Sequence, residues 1–323
     1  MLKVAVVGAG MMGKTHCEIY NKMEGVRLEA IIDVNENEAQ TAKKFNTRYY
    51  SKIEELNDGE VDIIDICLPT FLHTDSIKRA SRVCSNIICE KPIALSIYEV
   101  DELKSLVEDK NLTFMVAHVL RFWNGYVKAR EIVNQGVLGN IESIVCYRRQ
   151  KMPLWSSSNW LRSQKNSGGP TYDLIIHDLD YITWVLGKPD FVSGNIINDS
   201  YGNAVHVKSE LLYKNCSATV FGSWGMPKKF NDGNLSCSLE IVGSKGVITY
   251  DCSGKLFVIT DYSSEEIELE HYDPYFAELS YFVSCVKNCV KPQTSNIYTA
   301  RTCLEIANAI TKASEQRCVV KLD

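Results

Sequence analysis

Residues 8 to 13 read Gly-Ala-Gly-Met-Met-Gly, immediately after the apolar run KVAVV and at the opening of the helical pattern MMGKTHCEIYNKM. The spacing is G-x-G-x-x-G. Gly8, Gly10 and Gly13 at those points permit a tight turn, a close approach of backbone N–H groups to a pyrophosphate, and close packing of helix on strand. Strand, glycine loop and helix in that order commit the start of the chain to a βαβ unit. The same rhythm continues through VRLEAIID, NENEAQTAKKF, VDIIDICL, TDSIKRASRV and NIICE. Apolar β-branched runs alternating with helical patterns predict a parallel sheet with helices on both faces, to about residue 120.

Beyond the linking pattern HVLRFWNGYVKAREIVNQG the character changes. IESIVCYRR, AVHVKSELLY, CSATVFGSW, SCSLEIVG, GVITYD and KLFVIT alternate with a period near two and are separated by turn signals such as GSKG. That pattern predicts an antiparallel sheet. Helical stretches are expected at 170–186, 274–289 and 297–315. The expected fold is therefore α/β plus α+β. Residues 1–120 form a doubly wound, Rossmann dinucleotide-binding domain, and residues 121–323 form an open antiparallel-sheet domain for substrate binding and oligomerisation.

Composition narrows the partners. With 323 residues, 45% hydrophobic and 23% charged, the chain is globular and long enough for two domains. Lys and Arg number 35 against 40 Asp and Glu, a net charge of −5, and neither half is basic. No nucleic-acid partner is expected. The twelve cysteines are scattered, and Cys67, Cys89 and Cys146 lie in apolar strand-like runs, as free thiols do. They point to a reducing, cytoplasmic location. MLKVAVVGAG enters strand and loop directly, and no apolar run approaches the ~18 residues of a membrane span, so neither export nor a membrane is expected.

Asp33 closes the second strand, where a carboxylate can accept hydrogen bonds from a ribose hydroxyl pair. A carboxylate there repels a 2′-phosphate, so NAD is expected and NADP is less favoured. Gly8, Gly10, Met11, Met12 and Gly13 would line the pyrophosphate. In an open parallel sheet, ligands bind outside the carboxyl ends of the strands. Thr70 and His73 follow the fourth strand and either approach the cofactor or merely begin a helix. Glu90-Lys91-Pro92 ends the fifth strand at the same rim. There Glu90 counts among the cofactor contacts, and Lys91 can donate a charge-assisted hydrogen bond to a substrate oxygen. An ordinary exposed lysine after a strand is the alternative.

If residues 171–186 are helical, Asp173, His177 and Asp180 share one stripe at i, i+4 and i+7, while Ile175, Leu179, Ile182 and Leu186 face the core. Asp178 falls between the two. The stripe presents acid, imidazole and acid, or it is a solvated face with an Asp-His pair.

GAGMMG, ICLPTFLHTD, CEKPIAL, RFWNGYVKAREIVNQGVLGNI and GGPTYDLIIHDLDYITWVLG together resemble the glucose-fructose oxidoreductase, inositol dehydrogenase and MocA (Gfo/Idh/MocA) family across nearly the whole chain. The resemblance implies NAD(P)-dependent oxidoreduction of a sugar or polyol CH–OH group, in dimers or tetramers built through the second-domain sheet. It implies no metal. Lys91, Asp173 and His177 match the family's catalytic positions, His177 as general base. Asp180 and Asn159 are candidate substrate contacts, Asn159 in a stretch that also holds Trp155, Trp160 and Arg162. Arg121 matches a structural or peripheral family position. IHDLD is similar to the stripe of inositol dehydrogenases, which makes a cyclic polyol the expected substrate. A family relative with tightly held NAD and a non-catalytic dinucleotide-binding regulator are the alternatives. Lys91 and His177 are expected to serve one reaction.

Overall fold

The computed structural model describes residues 1–154 and 156–322. They form two compact units. The first takes residues 1–119, 156–158 and 273–301, and the second takes 120–154, 159–272 and 302–322.

In the first unit β1 (Leu2–Val7), α1 (Met11–Lys22), β2 (Val26–Ile32), α2 (Ala39–Lys44), β3 (Arg48–Tyr50), β4 (Ile63–Ile66), α3 (His73–Ala80), β5 (Asn86–Glu90), α4 (Ile97–Asp109) and β6 (Thr113–Ala117) follow one another. The six strands run parallel in the order β3-β2-β1-β4-β5-β6. The chain first builds outward from β1 to β3, then crosses to β4 on the other side. That reversal opens a crevice at the carboxyl ends of β1 and β4, where doubly wound sheets bind ligands. Val4, Ala5, Val6, Ile63, Ile64, Ile66, Ile87 and Ile88 are all fully buried. Helices on both faces require such unbroken apolar strands.

The second unit holds α5 (Asn124–Asn134), β7 (Ile141–Arg149), α6 (Gln164–Ser167), α7 (Ile176–Leu186), β8 (Phe191–Asn198), β9 (Ala204–Leu212), β10 (Ser217–Ser223), β11 (Ser236–Gly243), β12 (Gly246–Asp251), β13 (Leu256–Ile259) and β14 (Ser264–Ile267). The chain continues through α8 (Pro274–Lys287) in the first unit, and α9 (Ile297–Gln316) carries it back to β15 (Val320–Lys321) in the second. The nine-stranded sheet is ordered β14-β13-β12-β11-β7-β10-β9-β8-β15. It is mostly antiparallel, with one departure from expectation: β7 and β10 pair in parallel. The long connection carrying α6 and α7 returns the chain to start β8 in the same direction as β7. The β8-β9-β10 meander then ends with β10 parallel to its neighbour. One face of this sheet buries Ile144, Cys146, Val220 and Ile241 against Tyr126 and Ile132 of α5, Leu179 and Ile182 of α7, and Ile306 and Ile310 of α9.

Residues 273–301, expected with the second domain, pack with the first unit. α8 lies against α1 and β6, its buried Leu279, Phe282 and Val283 facing inward. Ser295 donates to the Val116 carbonyl at 2.6 Å. An apolar helical face must be covered, and sequence distance does not dictate by what.

Candidate active site

The glycine loop is built as its spacing demands. Gly8 has φ +95°, and a Cβ there would lie 2.7 Å from the Cys67 carbonyl oxygen. A Cβ on Gly13 would overlap the Gly8 carbonyl, while one on Gly10 meets nothing within 4 Å, so the space beside the turn is open. Gly10 caps α1 without any side-chain acceptor. The first-turn N–H groups, those of Met11, Met12 and Gly13, are therefore left to an anion. Asp33 follows β2 and is pinned at both oxygens, Oδ2 accepting from Ala9 N at 2.7 Å and Oδ1 from Asn35 N at 2.8 Å. Each carboxylate oxygen keeps a further lone pair for a hydroxyl. Thr70, which begins a 3-10 turn four residues beyond β4, is 2% exposed. Its Oγ1 has no hydrogen-bond partner among the described residues. Open space over Gly10, uncapped amides, an acceptor pair and an unsatisfied hydroxyl fit a dinucleotide.

At the rim beyond β5 the side chains divide their tasks. Lys91 is half-buried. Its own N–H donates to Glu90 Oε2 at 3.1 Å, so Glu90 is turned toward the protein as well as the rim. His73 departs from the expected cofactor contact. Its ring is 1% exposed, with Nδ1 2.9 Å from the Pro92 carbonyl and Nε2 2.8 Å from the Leu68 carbonyl. Both ring nitrogens are spent on the backbone. His73 ties the loop after β4 to the loop that carries Lys91.

In the second unit the acid-imidazole-acid stripe is only partly realised. Residues 169–171 form a short 3-10 turn, and α7 begins at Ile176. Asp173 therefore stands in the turn before the helix, with its N–H bound to the Gly169 carbonyl at 2.9 Å. Asp173 and His177 are both partly exposed. Most of the expected core face holds: Ile175, Leu179 and Ile182 are fully buried, while Leu186 is only partly buried. Asp180 corrects the expectation of a substrate contact. It is fully buried, and Arg121 takes both its oxygens, Nε to Oδ2 and Nη2 to Oδ1, each at 2.8 Å. Asp178 is likewise gripped by Arg148 of β7, Nε to Oδ2 at 2.8 Å and Nη2 to Oδ1 at 2.9 Å. The same Nη2 reaches the Tyr126 hydroxyl at 3.1 Å. At about 100° per residue, positions 178 and 180 flank position 177 on opposite sides of the helix. Two buried bidentate pairs thus fix the rotation of α7 and the direction of His177. Asn159 is exposed in a left-handed turn, φ +49°. Trp160 packs beside Leu161, Leu174 and Trp224, and Trp155 lies outside the described residues.

Residues 2–118 match the family model described as "Oxidoreductase family, NAD-binding Rossmann fold", and residues 126–249 match "GFO/IDH/MocA C-terminal domain". The chain belongs to the Gfo/Idh/MocA oxidoreductase family. It is an NAD-binding oxidoreductase. It is similar to the myo-inositol 2-dehydrogenase of Thermotoga maritima, 25% identical over 100% of this chain and 99% of that protein. It is also similar to the 2,7-anhydro-N-acetylneuraminate hydratase of Mediterraneibacter gnavus, 28% identical over 79% of this chain and 69% of that one. The crystal structure of myo-inositol 2-dehydrogenase from Lactobacillus plantarum superposes with a TM-score of 0.85 at 24% identity, covering 100% of this chain and 99% of the other.

Three partners in this Gfo/Idh/MocA oxidoreductase escaped the sequence reading: His16, Asp65 and Arg148. His16 donates from Nδ1 to Asp65 Oδ2 at 2.8 Å, both fully buried. Asp65 carried a signal, a charge inside the apolar run VDIIDICL. His16 carried a weaker one, since it shares the inward face of α1 with Cys17, Ile19 and Tyr20. Arg148 occupies a core-facing position of an alternating strand. Buried charges are retained only when paired, so each of these marks an unseen partner.

Proposed function

We propose that this enzyme oxidises a secondary hydroxyl of a cyclic polyol or sugar, with His177 as general base and Lys91 polarising the reacting oxygen. The observation that carries the reading is the direction of His177, set by the Arg121–Asp180 and Arg148–Asp178 pairs on either side of it. A helix so constrained is built to present one side chain in one orientation. Bound NAD supplies the hydride acceptor. His177 takes the hydroxyl proton, and Asp173 accepts a hydrogen bond from substrate and orients it. Lys91, on the NAD-binding unit, supplies positive charge where the oxygen becomes electron-rich.

Similarity to two inositol dehydrogenases supports a myo-inositol-like ring. With Asp180 neutralised by Arg121, Asp173 remains as the partly exposed carboxylate, and it favours a neutral, hydroxyl-rich substrate. The test is NADH formation over a panel of neutral polyols, sugars, sugar acids and sugar phosphates. Fastest turnover on a charged sugar would overturn the reading.

Similarity to a hydratase favours a second reading, in which NAD stays bound while the substrate is oxidised and then reduced again. Nicotinamide absorbance that survives gel filtration, with no net NADH formed, would establish that instead. Twelve free cysteines, seven of them buried, support a reducing compartment, and no described helix is long and apolar enough to cross a membrane. Exposed Tyr147, Phe191 and Ile259 on strands of the second unit support pairing of copies through that sheet, measurable by light scattering.

A further inference from the structure

The first unit contains three buried or nearly buried ionisable side chains, Asp65, His16 and Glu90, to which the proposed proton and hydride transfer gives no part. Asp65 stands in β4 among apolar neighbours. His16 lies one turn beyond Gly13 on the inner face of α1, with Nδ1 2.8 Å from Asp65 Oδ2 and Nε2 3.5 Å from Glu90 Oε1. The side chains of His16 and Asp65 are fully buried and that of Glu90 is 12% exposed. Glu90 in turn accepts the Lys91 N–H. Nε2 makes no hydrogen bond among the described residues, so its proton is decided by the field around it.

Three arrangements are open to an imidazole between two carboxylates. A neutral ring bonded to Asp65 aims the Nε2 lone pair at a second negative oxygen. A protonated Glu90 removes that clash but surrenders a charge that the Lys91 N–H and ammonium favour. A ring protonated at both nitrogens satisfies both carboxylates and leaves one net negative charge where there would be two.

We propose that His16 is a positioning residue that carries protons on both ring nitrogens and completes a row of alternating charge, Asp65, His16 and Glu90, from the core of the first unit to its rim. The row ends at Glu90, which accepts the Lys91 N–H at the rim where a substrate oxygen would meet Lys91; this last step rests on the function proposed for Lys91. Burial opposes the charged ring, but the Asp65 charge and hydrogen bond, then Glu90 and Asp273, outweigh it and lift His16 above the usual histidine range. Burial also lifts Glu90, against the pull of His16 and Lys91, so the two groups compete for one proton. The 2.8 Å bond to Asp65 gives it to the ring. The other groups facing the ring do not supply a competing cation. Cys67 Sγ is 3.3 Å from Nδ1, and burial keeps its thiol protonated. Burial and Asp65 likewise keep the Tyr20 phenol neutral, with Glu278 adding to the same effect. From the start of α8, Asp273 adds negative charge and the Tyr275 ring stands 6.5 Å away.

Nitrogen NMR of the full chain labelled at its histidine rings tests this without substrate, so its outcome is separable from that of the polyol panel. His16 is assigned by loss of its signals in His16→Gln, or in His16→Asn if the former does not fold. Both ring nitrogens are expected at protonated shifts at about pH 7.5, above the range where a free imidazole titrates. Glu90→Gln should lower the titration midpoint. A single protonated nitrogen in the wild-type protein, or a midpoint unmoved by Glu90→Gln, would overturn the proposal.

Discussion

Arg121 and Asp180 meet edge to edge, Nε on Oδ2 and Nη2 on Oδ1, each at 2.8 Å, with side chains 4% and 0% exposed. The partners are 59 positions apart in the chain, Arg121 before α5 and Asp180 inside α7. Burial works against the guanidinium charge, yet the Asp180 charge and hydrogen bonds raise its pKa above the ordinary arginine range. The pair converts an acid on the expected catalytic stripe into the anchor that aims its neighbour, His177.

Breaking one side of that pair should be severe. Asp180→Ala leaves an uncompensated guanidinium in the core, which costs about 3–5 kcal/mol. Denaturant titration should show that loss, whereas a change below about 1 kcal/mol would mean that water or another group takes over the arginine.

Lys91 and His177 should behave as one unit in catalysis. His177→Ala is expected to lower kcat by roughly 10²- to 10⁴-fold while NAD still binds to the first unit. Lys91→Ala should be comparably damaging, and the double variant should fall little further, because both serve one transfer. Multiplicative losses in single-turnover hydride transfer would show that they act in separate steps.

Asp33 should govern the choice of dinucleotide. It offers a carboxylate beside Ala9 N–H and has Val34 and Asn35 as its next neighbours, with no arginine among them. Kinetic efficiency with NAD should exceed that with NADP, and Asp33→Ala should erase most of the difference. An unchanged ratio in the variant would place the discrimination elsewhere.

Glu60 should give the protein an acid-sensitive increment of stability. Its carboxylate is held at a pKa of about 2, first by the Tyr50 hydroxyl, then by the Asn57 and Arg48 donors, against the ordinary 4.5 of a glutamate. A depressed folded value means that this increment is present above the unfolded pKa and drains away as pH falls from about 4.5 toward about 2. The midpoint difference between wild type and Glu60→Gln should therefore shrink over that interval. A difference independent of pH would assign the effect to packing.

Local order alone determined a good part of this protein. KVAVV followed by GAGMMG and a helical pattern is a strand, a turn that only glycines can make, and a helix that packs on Gly13. Each piece depends on neighbours within a dozen residues, and so the first sheet, its crevice and the NAD-binding loop were legible. The inward face of Ile175, Leu179 and Ile182 was legible for the same reason, since helical period needs no knowledge of the partner. The parallel pairing of β7 and β10, the passage of residues 273–301 to the first unit, and the destinations of the buried charges were decided by tertiary structure. Asp180 and His73 looked like site residues because type and spacing were right. Their partners, Arg121 in one case and the Leu68 and Pro92 carbonyls in the other, are brought to them only by folding. A charged or polar side chain has no preferred face of its own. It goes where a partner can offset its loss of water, and for Asp65, His16 and Arg148 that partner lies dozens of residues away in sequence but within about 3 Å in space.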